Sequence, residues 1–204
     1  DYWEYEFVDD GETLDFDAAM ARFVDTTGRP GPSTWIGGTY PAGQEDYPVA
    51  GISWYEAMAY ARFAGRELPT VHHWQRAAGL GVFADILTTS NFGGAGPVAV
   101  GALPSLGPYG TYDMAGNVKE WCWNAVGSER YTLGGAWNEP SYEFMDADAR
   151  SPYDRIPNQG FRCVRYDVPP PQESLDPIEA VEGRHEEPVR APRVAVRTTL
   201  DPEC

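Results

Sequence analysis

Three cysteines, three histidines and several closely spaced acids are the side chains best suited to chemistry in this chain. Their spacing limits what they do. Cys122, Cys163 and Cys204 include no pair at the short spacing of a metal or dithiol redox motif. His72 and His73 are neighbours, and on a helix their side chains project about 100° apart, which suits cap or surface roles better than a shared metal. Asp146, Asp148 and Asp154 begin like a calcium-binding loop but lack its sixth-position glycine and closing glutamate, so a solvated loop is expected there. The densest set is GTYDMAGNVKEWCW, Gly110 to Trp123. Gly110 and Gly116 allow positive φ, and Asp113 and Asn117 hydrogen-bond neighbouring backbone, so the stretch reads as a tight loop with oxygens turned inward. Trp121 and Trp123 would anchor the chain as it leaves the loop.

Further blocks accompany this loop in a fixed order: YPVAGISWYEAMAYARFAGRELPT from Tyr47, HHWQRAAG from His72, SNFGG from Ser90, LGGAW from Leu133 and GFRCVR from Gly160. In this combination the chain resembles the formylglycine-generating enzyme family, also called sulfatase-modifying factors, over most of residues 16 to 166. The resemblance implies an α+β fold that is loop-rich and C-type-lectin-like, with short helices around small antiparallel sheets. It also implies a reaction centre, since active members bind copper(I) through two cysteines and oxidise a substrate cysteine with molecular oxygen. Counted from Ala136, which stands at the serine of the family's Gly-Gly-Ser segment, those cysteine positions fall on Glu139 and Phe144. Neither is the soft thiolate that copper(I) prefers, so copper is not expected. Lys119 stands where the family's loop has a tryptophan. Ala61 stands where relatives carry a helix cysteine that links to the position of Cys163, so Cys122 and Cys163 read as ordinary buried cysteines, with a disulfide between them as the alternative.

The same resemblance implies a structural calcium ion held by the side chain of Asp113 and carbonyls at Met114, Gly116 and Val118, oxygen donors of the kind a hard cation takes. The plainer expectation is that Asp113 caps the turn. A second family calcium site, at Asn91 and the Phe92 carbonyl, lacks its acid. Around the lost cysteines, Trp123, Trp137, Glu139, Tyr142 and Phe144 are expected to rim a cleft for a peptide, protein or small-molecule ligand. The alternative is a divergent oxidoreductase of the superfamily in which Glu139 or a nearby aspartate works in a rebuilt active site. Glu120 and Arg162, in the best-matched motifs, are expected to pair across the core.

Positioning these residues requires short elements. A helix is predicted from an Asp15 cap to a Gly28 stop, with Phe16, Ala19, Met20, Phe23 and Val24 on one face. A long loop runs from there to Pro48. A second helix starts at Ser53, where Glu56 completes a capping box, and ends at Gly65; a third runs from Thr70 to Gly79, with His73 at the position where relatives place Glu. Gly79 to Pro108 reads as irregular, and RYTLGGAW and GFRCVRY as two strands.

The 204 residues divide into a domain over 1–166, without the family's N-terminal strand segment, and a proline-rich acidic linker, or the start of a further domain, over 167–204. With 42% hydrophobic and 13% aromatic residues the body can build a core. A net charge of −16 repels phosphate backbones, so nucleic acid is a poor partner. No apolar run is long enough for a transmembrane segment, and the sparse cysteines suit a reducing, cytoplasmic compartment. The wording around Gly110 and Trp137 also resembles bacterial proteins in which this domain is joined to a serine/threonine kinase. The sequence therefore favours a non-catalytic module tethered in a larger signalling protein.

Overall fold

The computed structural model describes residues 2–9, 11–80 and 84–179. Cys204 and the chain beyond Glu179 lie outside them. A hairpin of β1 (Phe7–Asp9) and β2 (Glu12–Leu14) opens the fold, and α1 (Phe16–Met20), α2 (Trp54–Phe63), α3 (Val71–Ala78) and the short α4 (Ala84–Leu87) come next. Then come β3 (Lys119–Val126), β4 (Glu129–Leu133), a 3₁₀ turn (Ser141–Phe144), β5 (Asp148–Arg150), β6 (Gln159–Phe161) and α5 (Gln172–Leu175). The main sheet has the order β5-β4-β3-β6. It is antiparallel except where β6 runs parallel to β3. This is a loop-rich α+β fold of short helices and small sheets.

The central strand was not legible as a strand. KEWCWNAV does not alternate apolar with polar because both of its faces are buried. Trp121 packs into one apolar cluster with Trp54, Met58 and Phe7, while Cys122 on the opposite face joins Trp74, Met114, Leu133 and Phe144 in a second. The strand thus separates two cores. No disulfide joins Cys122 to Cys163, and burial pushes the Cys122 thiol well above its ordinary range.

The helix caps match the sequence closely. Ser53 accepts from Glu56 N, and the Glu56 carboxylate accepts from Ser53 N in return. Thr70 accepts from His73 N, and the Thr70 backbone N–H that a glutamate would take donates to the Tyr166 hydroxyl; the His73 ring bonds the Thr70 hydroxyl at 2.6 Å and packs edge-on against Tyr166. The first helix is shorter than expected and ends at Met20, not near Gly28. The cause is Asp25, whose carboxylate accepts from Thr27 N, Thr27 Oγ1, Arg29 N and Gly38 N. A helical course would forfeit those bonds, and the side-chain bond from Thr27 heads the causes that hold the carboxyl below its usual range.

Arg155 ties the long loop to the helices. Its guanidinium donates to both Glu56 oxygens and to the carbonyls of Arg22, Val24 and Gly31. The first part of the expected linker is also fastened to the domain. Trp123 Nε1 donates to Leu175 O, Asn124 Nδ2 to Ser174 O and Asp176 O, and Ile178 N to Ala125 O. Replacing Arg155 with Met leaves Glu56 without its cation and three carbonyls without their donor. Urea unfolding should show a loss of about 3–5 kcal/mol, the range for breaking a buried ion pair from one side.

Candidate functional site

Lys119, the first residue of β3, has a side chain only 1% exposed. Its ammonium lies 3.1 Å from Glu139 Oε2 and 3.3 Å from Glu143 Oε2, and it contacts Asp148 Oδ2. A second cation, Arg150, stands 3.7 Å from Asp148. Burial alone would pull the lysine down. The hydrogen bond and charge of Asp148, with the charge of Glu139, outweigh it and hold Lys119 above its ordinary value. It therefore stays a cation and is no amine nucleophile at neutral pH.

The sheet positions part of this cluster. Lys119 registers with Gln159, and Thr132 with both Trp121 and Asp148, so Lys119, Thr132, Asp148 and Gln159 share one face. Glu139 and Glu143 arrive from the loop and 3₁₀ turn beyond Gly134 and Gly135. Both glycines have positive φ, and a Cβ on Gly135 would meet the Phe92 ring at 2.7 Å. Around the cluster the Gln159 amide, the Thr132 hydroxyl and the Trp137 indole N–H are buried without a hydrogen-bond partner among the described residues. The site thus combines fixed charge with unused donors and acceptors.

The five residues expected on one cleft are divided. Glu139 belongs to the lysine cluster, and Trp137 lies beside it in sequence with its N–H unused. Tyr142 is 64% exposed. Phe144 is 2% exposed and packs on Trp74 at 6.1 Å, so it completes the core and offers no surface to a ligand. Trp123 lies elsewhere, 5.8 Å from the Tyr5 ring and 6.0 Å from that of Trp54. Asp148, expected in a solvated loop, is instead in β5 on the buried lysine. Sequence reasoning missed Glu143 and Gln159. The usable signal was the paired departure at 119 and 139, where a cation and an acid replace the residues the family would place there.

The copper implied by the resemblance does not fit these donors. Copper(I) would meet a carboxylate and a phenyl ring at the two cysteine positions. Glu139, Glu143 and Asp148 bring one oxygen each within 4.8 Å of one another, and the Lys119 ammonium sits among them, with Arg150 beside Asp148. At Asp113, a residue of positive φ, one carboxylate oxygen accepts from Gly101 N and the other from Ser105 Oγ. Asn117 closes the same loop by bonding Val98 N and O, and its own N–H donates to Asn91 O. Met114, Gly116 and Val118 form the turn between them, and Gly116 N donates to Gly134 O. Asp113 thus caps the turn, and its hydrogen bonds, with those of Asn117, hold the loop closed.

Mutation and metal titration probe both loops. Lys119→Met should lower stability by about 3–5 kcal/mol in denaturant unfolding, and Lys119→Met combined with Glu139→Gln should recover part of that loss. Millimolar calcium or a chelator should leave the melting temperature unchanged, whereas Asp113→Ala should lower it in both conditions.

Comparison with known proteins places this geometry in a lineage. The family model "Sulfatase-modifying factor enzyme 1-like domain" matches residues 16–167. The serine/threonine-protein kinase pkn1 of Chlamydia pneumoniae is 40% identical over 99 residues, covering 45% of this chain and 16% of the kinase. The inactive C-alpha-formylglycine-generating enzyme 2 of Bos taurus is 29% identical over 162 residues, covering 63% of this chain and 53% of that protein. The formylglycine-generating enzyme of Thermomonospora curvata is 29% identical over 169 residues, covering 58% and 55%. The chain therefore spans about a sixth of the kinase and about half of the other two. Among solved structures, Treponema denticola variable protein 1 superposes with a TM-score of 0.51 at 21% identity, covering 62% of this chain and 74% of that one. CarF superposes with a TM-score of 0.50 at 21% identity, covering 61% and 70%. On the match to its family model, this chain belongs to the sulfatase-modifying factor, or formylglycine-generating enzyme, family.

Proposed function

We propose that this domain is a non-catalytic recognition or regulatory module of a larger signalling protein, one that binds a peptide, protein or small ligand. One observation carries the reading. Where the resemblance puts two reactive thiols, Glu139 is paired with the buried Lys119 and Phe144 is sealed into the core. Oxidising a thiol requires a centre beside the substrate that takes up its electrons, and the side chains of this ion cluster offer neither an electron acceptor nor a thiolate to hold a copper ion. Recognition asks less of the site: a rigid scaffold with a few fixed polar groups. The carboxylates of Glu143 and Asp148 are partly exposed at its edge, and the unused Trp137, Thr132 and Gln159 groups flank it.

The relatives include a formylglycine-generating enzyme, and two others fit this reading in kind. One is a formylglycine-generating enzyme described as inactive and another is a protein kinase, so the domain occurs in non-catalytic and in composite settings. No described helix is long and apolar enough to cross a membrane. The test is direct. The purified protein, incubated with copper, oxygen and a cysteine-containing sulfatase peptide, should leave the cysteine unchanged by mass spectrometry. Conversion to formylglycine would overturn the proposal.

A further inference from the structure

A second concavity lies away from the lysine cluster, between the N-terminal hairpin, α2 and the turn joining β3 to β4. Its volume is about 380 Å³, within the range of small-molecule sites. Trp54, Tyr55 and Tyr5 give it aromatic walls, and Arg130, Glu6 and Glu129 also line it. None of Lys119, Glu139, Glu143 and Asp148 does.

Arg130 is the unusual member. A guanidinium has five N–H donors, and the other well-buried guanidinium groups of this protein meet carboxylates: Arg155 meets Glu56 and Arg162 meets Glu120. Arg130 has no carboxylate within ion-pair distance among the described residues. Its one hydrogen bond there goes from NH1 to Trp123 O, at 2.9 Å. Its plane lies 4.0 Å from the centroid of Trp54, so the side chain is held in place by a ring face and a carbonyl. Burial pulls the guanidinium below its ordinary value, with only the two tyrosines acting the other way. A partly desolvated cation without an anion is a cost the fold carries and a partner would relieve.

The walls narrow the class of partner. A simple anion would meet Arg130 but would also face Glu6 and Glu129, whereas a simple cation would leave Arg130 as it is. A molecule bearing both charges satisfies both sides, and an apolar or aromatic body suits the Trp54 and Tyr55 faces. We propose that this concavity binds a small zwitterion, a free amino acid with an apolar or aromatic side chain, its carboxylate on Arg130 and its ammonium toward Glu6 and Glu129. The site is independent of the lysine cluster, so its failure would leave the reading of that cluster untouched.

The test uses the intact protein and three probes of one shape: L-phenylalanine, 3-phenylpropionate without the amine, and phenethylamine without the carboxylate. Titration calorimetry and Trp fluorescence should show millimolar or tighter binding of phenylalanine, at least tenfold weaker binding of phenylpropionate, and none of phenethylamine. Arg130→Lys, which keeps the charge and loses the planar fork, should weaken phenylalanine at least tenfold. Glu129→Gln, at the exposed first residue of β4, should weaken phenylalanine and leave phenylpropionate unchanged. Equal binding of phenylalanine and phenylpropionate, indifference to Glu129→Gln, or no binding of any probe would overturn the proposal.

Discussion

The buried carboxylate of Glu120 is the joint on which the two halves of this domain meet. It accepts from Trp74 Nε1 and, in a two-pronged pair, from Nε and NH2 of Arg162, all at 2.6 Å, while Arg162 also donates to Tyr112 O. One acid therefore fixes α3, the central strand, the residue after β6 and the loop that leads into β3. Such a pair adds little net stability over a packed apolar substitute, but it admits one arrangement of those four elements. Burial draws the Arg162 guanidinium down and the charge of Glu120 more than restores it, so the guanidinium stays charged. The pairing expected of these two residues is present in the structure.

One position earlier, β3 turns to its other face and repeats the device with the signs exchanged. Lys119 is the buried cation and the acids come to it. Adjacent residues of a strand point to opposite sides, so two ion clusters back onto each other through a single peptide unit. The Glu120 cluster is built from the motifs that carry the family resemblance. The Lys119 cluster includes Glu139, one of the two positions onto which the resemblance maps the family's cysteines, and it fills that ground with fixed charges.

Much of the scaffold was legible because local chemistry dictates it. Ser53 with Glu56, Thr70 before α3, and the left-handed Gly65 and Gly79 after the helices all act within a few residues of themselves. The features that stayed hidden depend on distant partners. Asp25 ends α1 through Gly38, thirteen residues on, and Asp148 is buried by a lysine that precedes it by 29. KEWCWNAV shows no alternation because its polar members Lys119, Glu120 and Asn124 are buried with partners from other elements. The 172–178 segment read as linker from its prolines, yet Asn124 and Trp123 hold its carbonyls. Composition reports what a segment can do unaided, and these segments are not unaided.

The Lys119 cluster also constrains which substitutions this chain can take. A thiol placed at 139 alone would take one acid from a buried ammonium, and a tryptophan placed at 119 alone would leave three carboxylates crowded together. Each change is uphill by itself, and a thiol at 144 would open a filled core. The positions are interlocked, so this ground can be rebuilt only by several changes made together.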